Sequence, residues 1–228
     1  FFVSIALFFT SCIPFEGVEG NGNVVKQERE VSAFNSLDIS GAFDVYLVQG
    51  DSESLLIEAD ENLMQYIRTE IRGNTLVIWS EENITEAEAL NINIGFDQLE
   101  LIDISGAVSI QSEEKLEFDV LYLDGSGAAE VDLAASLNIL RADLSGASEV
   151  ELRGEARSLE MDLSGASEIH AEDFIVQQCY IEVSGASDAR LHVTDELRVE
   201  ISGAASIKYK GDPKVSSEIS GAGSLKKI

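Results

Sequence analysis

A five-residue phrase, an acid, an apolar residue and then Ser-Gly-Ala, returns along this 228-residue chain at nearly fixed spacing. It occurs as Asp38 to Ala42, Asp103 to Ala107, Asp124 to Ala128, Asp143 to Ala147, Asp162 to Ala166, Glu182 to Ala186, Glu200 to Ala204 and Glu218 to Ala222. From Ser105 onward the steps between successive serines are 21, 19, 19, 20, 18 and 18 residues. A period of this size belongs to architectures in which each repeat is one coil that contacts only its neighbours.

Parity within a repeat separates strand from helix. The residues one, three and five places before each serine are mostly apolar: Leu144, Ala142 and Leu140; Leu163, Met161 and Leu159; Val183, Ile181 and Cys179; Ile201, Val199 and Leu197. The third residue after each alanine is apolar in every copy, from Val45 and Ile110 to Ile207 and Leu225, with acidic or polar residues between. Alternation of this kind marks half-buried strands, whereas a helical face recurs at three and four. Each coil then has a strand, a Ser-Gly-Ala corner and a second strand, with equivalent positions stacked in parallel about 4.8 Å apart. The expected fold is all-β, a parallel β-helix-like solenoid of coils about 18–21 residues long. It is taken as right-handed from the general preference of parallel crossovers. Glycine suits a corner because it accepts backbone angles that side chains disfavour.

The start of the chain reads differently. Residues 1–9 form an apolar run followed by Thr10-Ser11-Cys12, which looks like the hydrophobic part and cleavage region of an export signal lacking its basic beginning. The run is too short to span a bilayer alone. Its ending resembles a bacterial lipoprotein signal, and Cys12 is the expected lipid attachment residue, although Phe9 stands where that signal usually has Leu. Residues 13–23 are glycine-rich and aperiodic and read as a tether. Residues 24–228 form one domain, less regular in 24–100, where Asp60 to Tyr66 reads as a short helix capped by Asp60 and Ser80 to Glu88 as a surface loop. The 65-residue step from Ser40 to Ser105 spans an irregular beginning or a cap over the first coil. Cys179, at an inward position, is a small core residue.

Several further segments carry a resemblance. Gly22-Asn23-Val24-Val25, Phe34 to Val45 with its first Ser-Gly-Ala, the later series, and Tyr209-Lys210-Gly211-Asp212-Pro213-Lys214 together resemble the putative auto-transporter adhesin head, or GIN domain, family. The resemblance runs from about Asn21 to Ile228 and departs at Gly125, which stands before Ser126 in place of an apolar residue, and at the inward Ser217. It implies a β-helix-like fold in exported bacterial proteins and brings no catalytic residues.

The net charge of −27, from 15 basic and 42 acidic residues, repels nucleic acid and anionic lipid and favours cations or basic partners. Stacking would place Asp103, Asp124, Asp143, Asp162, Glu182, Glu200 and Glu218 in one outward column. Two charges about 4.8 Å apart in water repel by about 0.9 kcal/mol, while a buried Leu or Ile contributes roughly 1.5 to 3 kcal/mol. The core outweighs the column, so the column needs no metal. It reads as solvated surface, with a row of weak Ca²⁺ sites as the functional alternative. No metal or other cofactor is expected. His170 and His192 fall at different phases and do not suggest a zinc pair, and the repeated serines are too numerous to be nucleophiles. Arg141, Arg153, Arg157, Arg190 and Arg198 read as relief for the acidic surface. Among scattered aromatics, only Tyr122 and Tyr180 share an outward phase, with Arg141 and Glu160 between them.

These features point to a non-enzymatic cell-envelope lipoprotein, a binding or adhesin-like module held at the membrane by a lipid anchor. Its location is the outer membrane or cell surface, or the periplasmic face, and its partner is an envelope protein or glycan. A monomer is expected. An envelope scaffold assembling through solenoid ends is the alternative, and a carbohydrate-active enzyme the third.

Overall fold

The computed structural model describes residues 17–228. Cys12, the expected leader and the first part of the expected tether lie outside the described residues. The fold is all-β: among the described residues there is no helix, and the strands form one 13-stranded sheet plus a two-stranded one. The sheets do not close into a barrel.

Pairing follows the repeat. Asp103 to Ala107 lies parallel to Asp124 to Ala128, residue for residue, and Glu200 to Gly203 lies in the same way against Glu218 to Gly221. Inward positions become continuous apolar columns, with Leu140, Ala142, Leu144, Leu159, Met161, Leu163, Ile181, Val183, Val199 and Ile201 all buried. Gly125 occupies one such position, and a side chain there would meet the Leu144 Cδ2 atom at 2.7 Å, so Leu144 fills the space that Gly125 leaves. Differences in repeat length are absorbed at the return. The register between Ala171 and Ile175 shifts by a bulge that buries Phe174 and exposes Ile175.

The corner glycines answer two constraints. Gly146 has φ of 106°, a conformation unfavourable for residues with a Cβ. Its absent side chain would also point at the Gly127 carbonyl oxygen. The same collision recurs at each step, at 2.5 Å for Gly127 against Gly106 and 2.6 Å for Gly221 against Gly203. It holds at Gly185 too, whose φ imposes no such demand. Close approach of neighbouring backbones is therefore the requirement shared by the whole column.

The early copy of the phrase stacks directly on the later ones: Ser36–Gly41 pairs in parallel with Leu101 to Gly106. The intervening chain builds layers on its other side, out of sequence order. Thr75–Ser80 lies parallel beside Ser36–Gly41, and Ile67–Arg72 closes that edge antiparallel. On the neighbouring face Leu90–Phe96 lies parallel to Asp44–Gln49, followed by the antiparallel strands Ser54–Asp60 and Val24–Arg29.

Two expectations are corrected here. Asp60 ends a strand, and Glu61 to Tyr66 is a run of turns rather than a helix, in which Leu63 and Tyr66 donate to the carbonyls of Asp60 and Leu63. The Asp60 carboxylate does not cap a first helical turn. It is fully buried and accepts bonds from the Gly22, Glu88 and Ala89 amides, the latter two at 2.8 and 3.3 Å. Burial alone would raise its pKa, but these donors hold it below the ordinary aspartate value. Within the expected loop, Ile84–Glu86 pairs with Val18–Glu19, and Asn62 donates to the Glu19 carbonyl at 2.8 Å. The end of the expected tether is thus bonded to the folded body.

Gly146→Ala should lower unfolding free energy by on the order of 1–3 kcal/mol, because it combines strained φ with backbone collision. Gly50→Ala is the control, since nothing lies within 4 Å of a Cβ built there. Its effect should stay within about 0.5 kcal/mol in the same denaturant titration. Equal losses at both positions would contradict the steric account.

Candidate functional site

The residues two and four places before each serine point outward from the strand leading to the corner. They form two adjacent rows, one of acids and one containing Tyr122, Arg141, Glu160, Tyr180 and Arg198. Register pairs Tyr180 with Arg198 and Glu182 with Glu200. Tyr122 and Tyr180, singled out by their shared phase, line one shallow groove of about 280 Å³ with Arg141, Asp143, Glu160 and Asp162.

Side chains in this stripe are tied to one another. Arg141 Nε donates to Glu160 at 2.7 Å and its Nη1 donates to the Tyr122 hydroxyl at 2.9 Å, with the guanidinium 5.5 Å from the Tyr122 ring centroid. Arg198 lies 5.1 Å from the Tyr180 centroid and donates to Glu200, while the Tyr180 hydroxyl donates to Glu182 at 3.1 Å. Each tyrosine therefore carries a guanidinium over its ring with a carboxylate beside it. Cation–π contacts of this kind contribute about 0.5–1 kcal/mol when exposed.

The acidic row extends through the stack, with Asp38 opposite Asp103 and Asp103 opposite Asp124. Partial burial, and then the charges of Asp38 and Asp124, raise the pKa of Asp103. Asp124 is raised by burial and by Asp143, and Asp162 by burial and by Asp143 and Glu182. Among the described residues, no side chain donates a hydrogen bond to Asp103, Asp124, Asp143 or Asp162, and no three or more His, Cys, Asp or Glu side chains are grouped to hold a metal ion. The column offers its carboxylates in single file.

Other residues considered from the sequence are dispersed. His170 lies opposite Arg190, and His192 opposite Ile175. His170 Nε2 is 3.1 Å from Glu168, and Arg190 is 3.9 Å from Glu172. Arg153 bridges Asp132 and Glu151. Cys179 is buried, which pushes its thiol up to about 12. Trp79 and Tyr46 are half-buried at the opposite end, with Arg72 5.2 Å from the Trp79 centroid. Parity reasoning passed over an inward ladder of Ser148, Ser167 and Ser187, all buried, in which Ser167 N donates to Ser187 Oγ at 3.2 Å. Its signal was the second serine in Ser-Gly-Ala-Ser, which falls on the inward parity.

The architecture is an all-β one of parallel, in-register pairings. Residues 33–213 match the family described as putative auto-transporter adhesin, head GIN domain, and the chain belongs to that family. No curated protein matches the sequence. A crystal structure of a putative adhesin from Bacteroides fragilis is similar, with TM-score 0.87 and 23% identity over 93% of this chain and all of the other. A putative lipid binding protein from Parabacteroides distasonis has TM-score 0.75 and 24% identity over 93% of this chain and all of the other. A putative adhesin from Parabacteroides merdae has TM-score 0.71 and 21% identity, covering 92% of this chain and 98% of the other. At these identities the likeness is one of fold.

The electrostatics give a signed expectation. Asp103, Asp124 and Asp162 bind protons more readily folded than unfolded, so stability falls as pH rises from the ordinary aspartate value through their raised values. Asp60 has the opposite shift, and its contribution is lost as pH falls through its lowered value. The thermal midpoint at about pH 4.5 should therefore exceed that at about pH 7.5 at matched ionic strength. Asp143→Asn/Asp162→Asn should narrow that difference and raise stability at neutral pH by about 0.5–1 kcal/mol. A lower midpoint at the mildly acidic pH would overturn this.

Proposed function

We propose that this chain is a non-enzymatic, adhesin-like binding module of the cell envelope, exported and held at a membrane by lipid on Cys12. Its repeats are the coils of a right-handed parallel β-solenoid, a reading supported by in-register parallel pairing and by the general handedness of parallel crossovers. The solenoid presents an outer face whose contact region is the stripe from Tyr122 to Arg198. The observation that carries this is the groove between Tyr122 and Tyr180, where aromatic rings, the Arg141 guanidinium and carboxylates meet on rigid strands. Rigid, partly exposed tyrosine supplies contact area at low entropic cost.

Membership of an adhesin-head family and the similarity in fold to two putative adhesins support the same reading. The lipid-binding neighbour raises a lipid as a rival ligand, but five carboxylates line this groove against a single arginine. That charge disfavours an anionic headgroup. The module acts as a monomer toward its envelope partner.

The test uses a Gram-negative host displaying the full chain. Displaying cells should adhere to immobilised outer-membrane preparations, and Tyr122→Ser/Tyr180→Ser should reduce adhesion at least about tenfold while lowering the thermal midpoint by only a few degrees, the loss expected from two exposed cation–π contacts. Cys12→Ser should abolish incorporation of labelled fatty acid. Adhesion unaffected by the double tyrosine change would overturn the assigned face.

A further inference from the structure

The composition of that face narrows its occupant. We propose that the groove between Tyr122 and Tyr180 docks an extended, lysine- or arginine-bearing polypeptide segment that lies across the repeats and places its cations on the acidic row. This rests on the reading of the stripe as the binding face.

Charge complementarity carries the choice. Asp124, Asp143, Glu160, Asp162 and Glu182 line the groove, and its one guanidinium, from Arg141, is already bonded to Glu160. Repulsion among neighbouring carboxylates is relieved when an external cation sits between them. An anionic glycan would add to the repulsion, and a neutral sugar would leave it in place. A divalent metal would need several oxygens converging on one point, which a single-file row does not provide.

The chain itself displays the contact that a foreign cation would make. Arg141 and Arg198 each combine a tyrosine ring face with an adjacent carboxylate. The carboxylates of Asp143 and Asp162 stand on the two repeats between Tyr122 and Tyr180, with no side-chain donor among the described residues. Spacing also suits an extended peptide. Tyr122 and Tyr180 are three repeats apart, about 14 Å, the reach of roughly four extended residues. Same-face residues of such a peptide recur about every 6.7 Å and the acids about every 4.8 Å, a mismatch that flexible lysine stems can absorb.

Binding would be measured on the full 228-residue chain in a non-ionic detergent. The probe is a fluorescent peptide of about ten residues with alternating lysine and serine, read by anisotropy. Asp143→Asn/Asp162→Asn should weaken binding at least about tenfold and Tyr122→Ser/Tyr180→Ser at least about fivefold. Glu130→Gln/Glu149→Gln removes the same charge from the strand beyond the corner and should change binding less than about twofold. Equal weakening by the two charge-matched pairs, or no binding, would overturn the proposal. Spermine competing as well as the peptide at equal cation concentration would also overturn it, since any polycation would then suffice. Groove-dependent cell adhesion without peptide binding would remove the basic-peptide assignment and leave the binding face standing. Peptide binding with adhesion unaffected by the tyrosine changes would keep the peptide site and remove the adhesion reading.

Discussion

The close approach of backbones at the Ser-Gly-Ala corners is the constraint on which the rest of this protein depends. At each corner from Gly106 onward the glycine faces the carbonyl oxygen of the corner glycine before it, with no room for a methyl group between. Once the corners are seated, equivalent residues are forced into register. One parity becomes the buried aliphatic core and the other becomes outward rows. The acidic row is a by-product of that register and is tolerated because the core outweighs it. A buried Leu or Ile contributes roughly 1.5 to 3 kcal/mol, against about 0.9 kcal/mol or less of repulsion per neighbouring pair.

Much of this was legible in the sequence because the signal is local and repeated. Inward parity identified Leu144, Ile181 and Cys179, and all are buried. The corner glycines were recognised for their backbone angles, yet the steric reason at Gly185 required the neighbouring repeat to be in view. The region between Ser40 and Ser105 was not legible in the same way. Its strands pair with partners far away in the chain, as Thr75–Ser80 does with Ser36–Gly41, and some run antiparallel. A period cannot encode such order. Asp60 misled for a related reason. An acid before Leu63, Tyr66 and Ile67 suggests a helix cap, but its actual donors are the amides of Gly22, Glu88 and Ala89, remote in sequence.

The candidate face shows the same division. The phase of Tyr122 and Tyr180 was readable, as was the presence of Arg141 and Glu160 between them. Arginine over each ring could not be read, because it depends on side chains reaching across to the next repeat or along the strand. The proposed binding face belongs to strands fixed by the core, so its charges and rings would need little ordering on binding.

In-register stacking from the first regular repeat to the last is the central claim, and a distance measures it most directly. Spin labels at Ser109 and Ser224, with Cys12 replaced, stand six repeats apart along one outward row. Stacking sets their backbone separation at about 29 Å, in a narrow distribution apart from the reach of the labels. A broad distribution, or a separation unrelated to the number of intervening repeats, would contradict it.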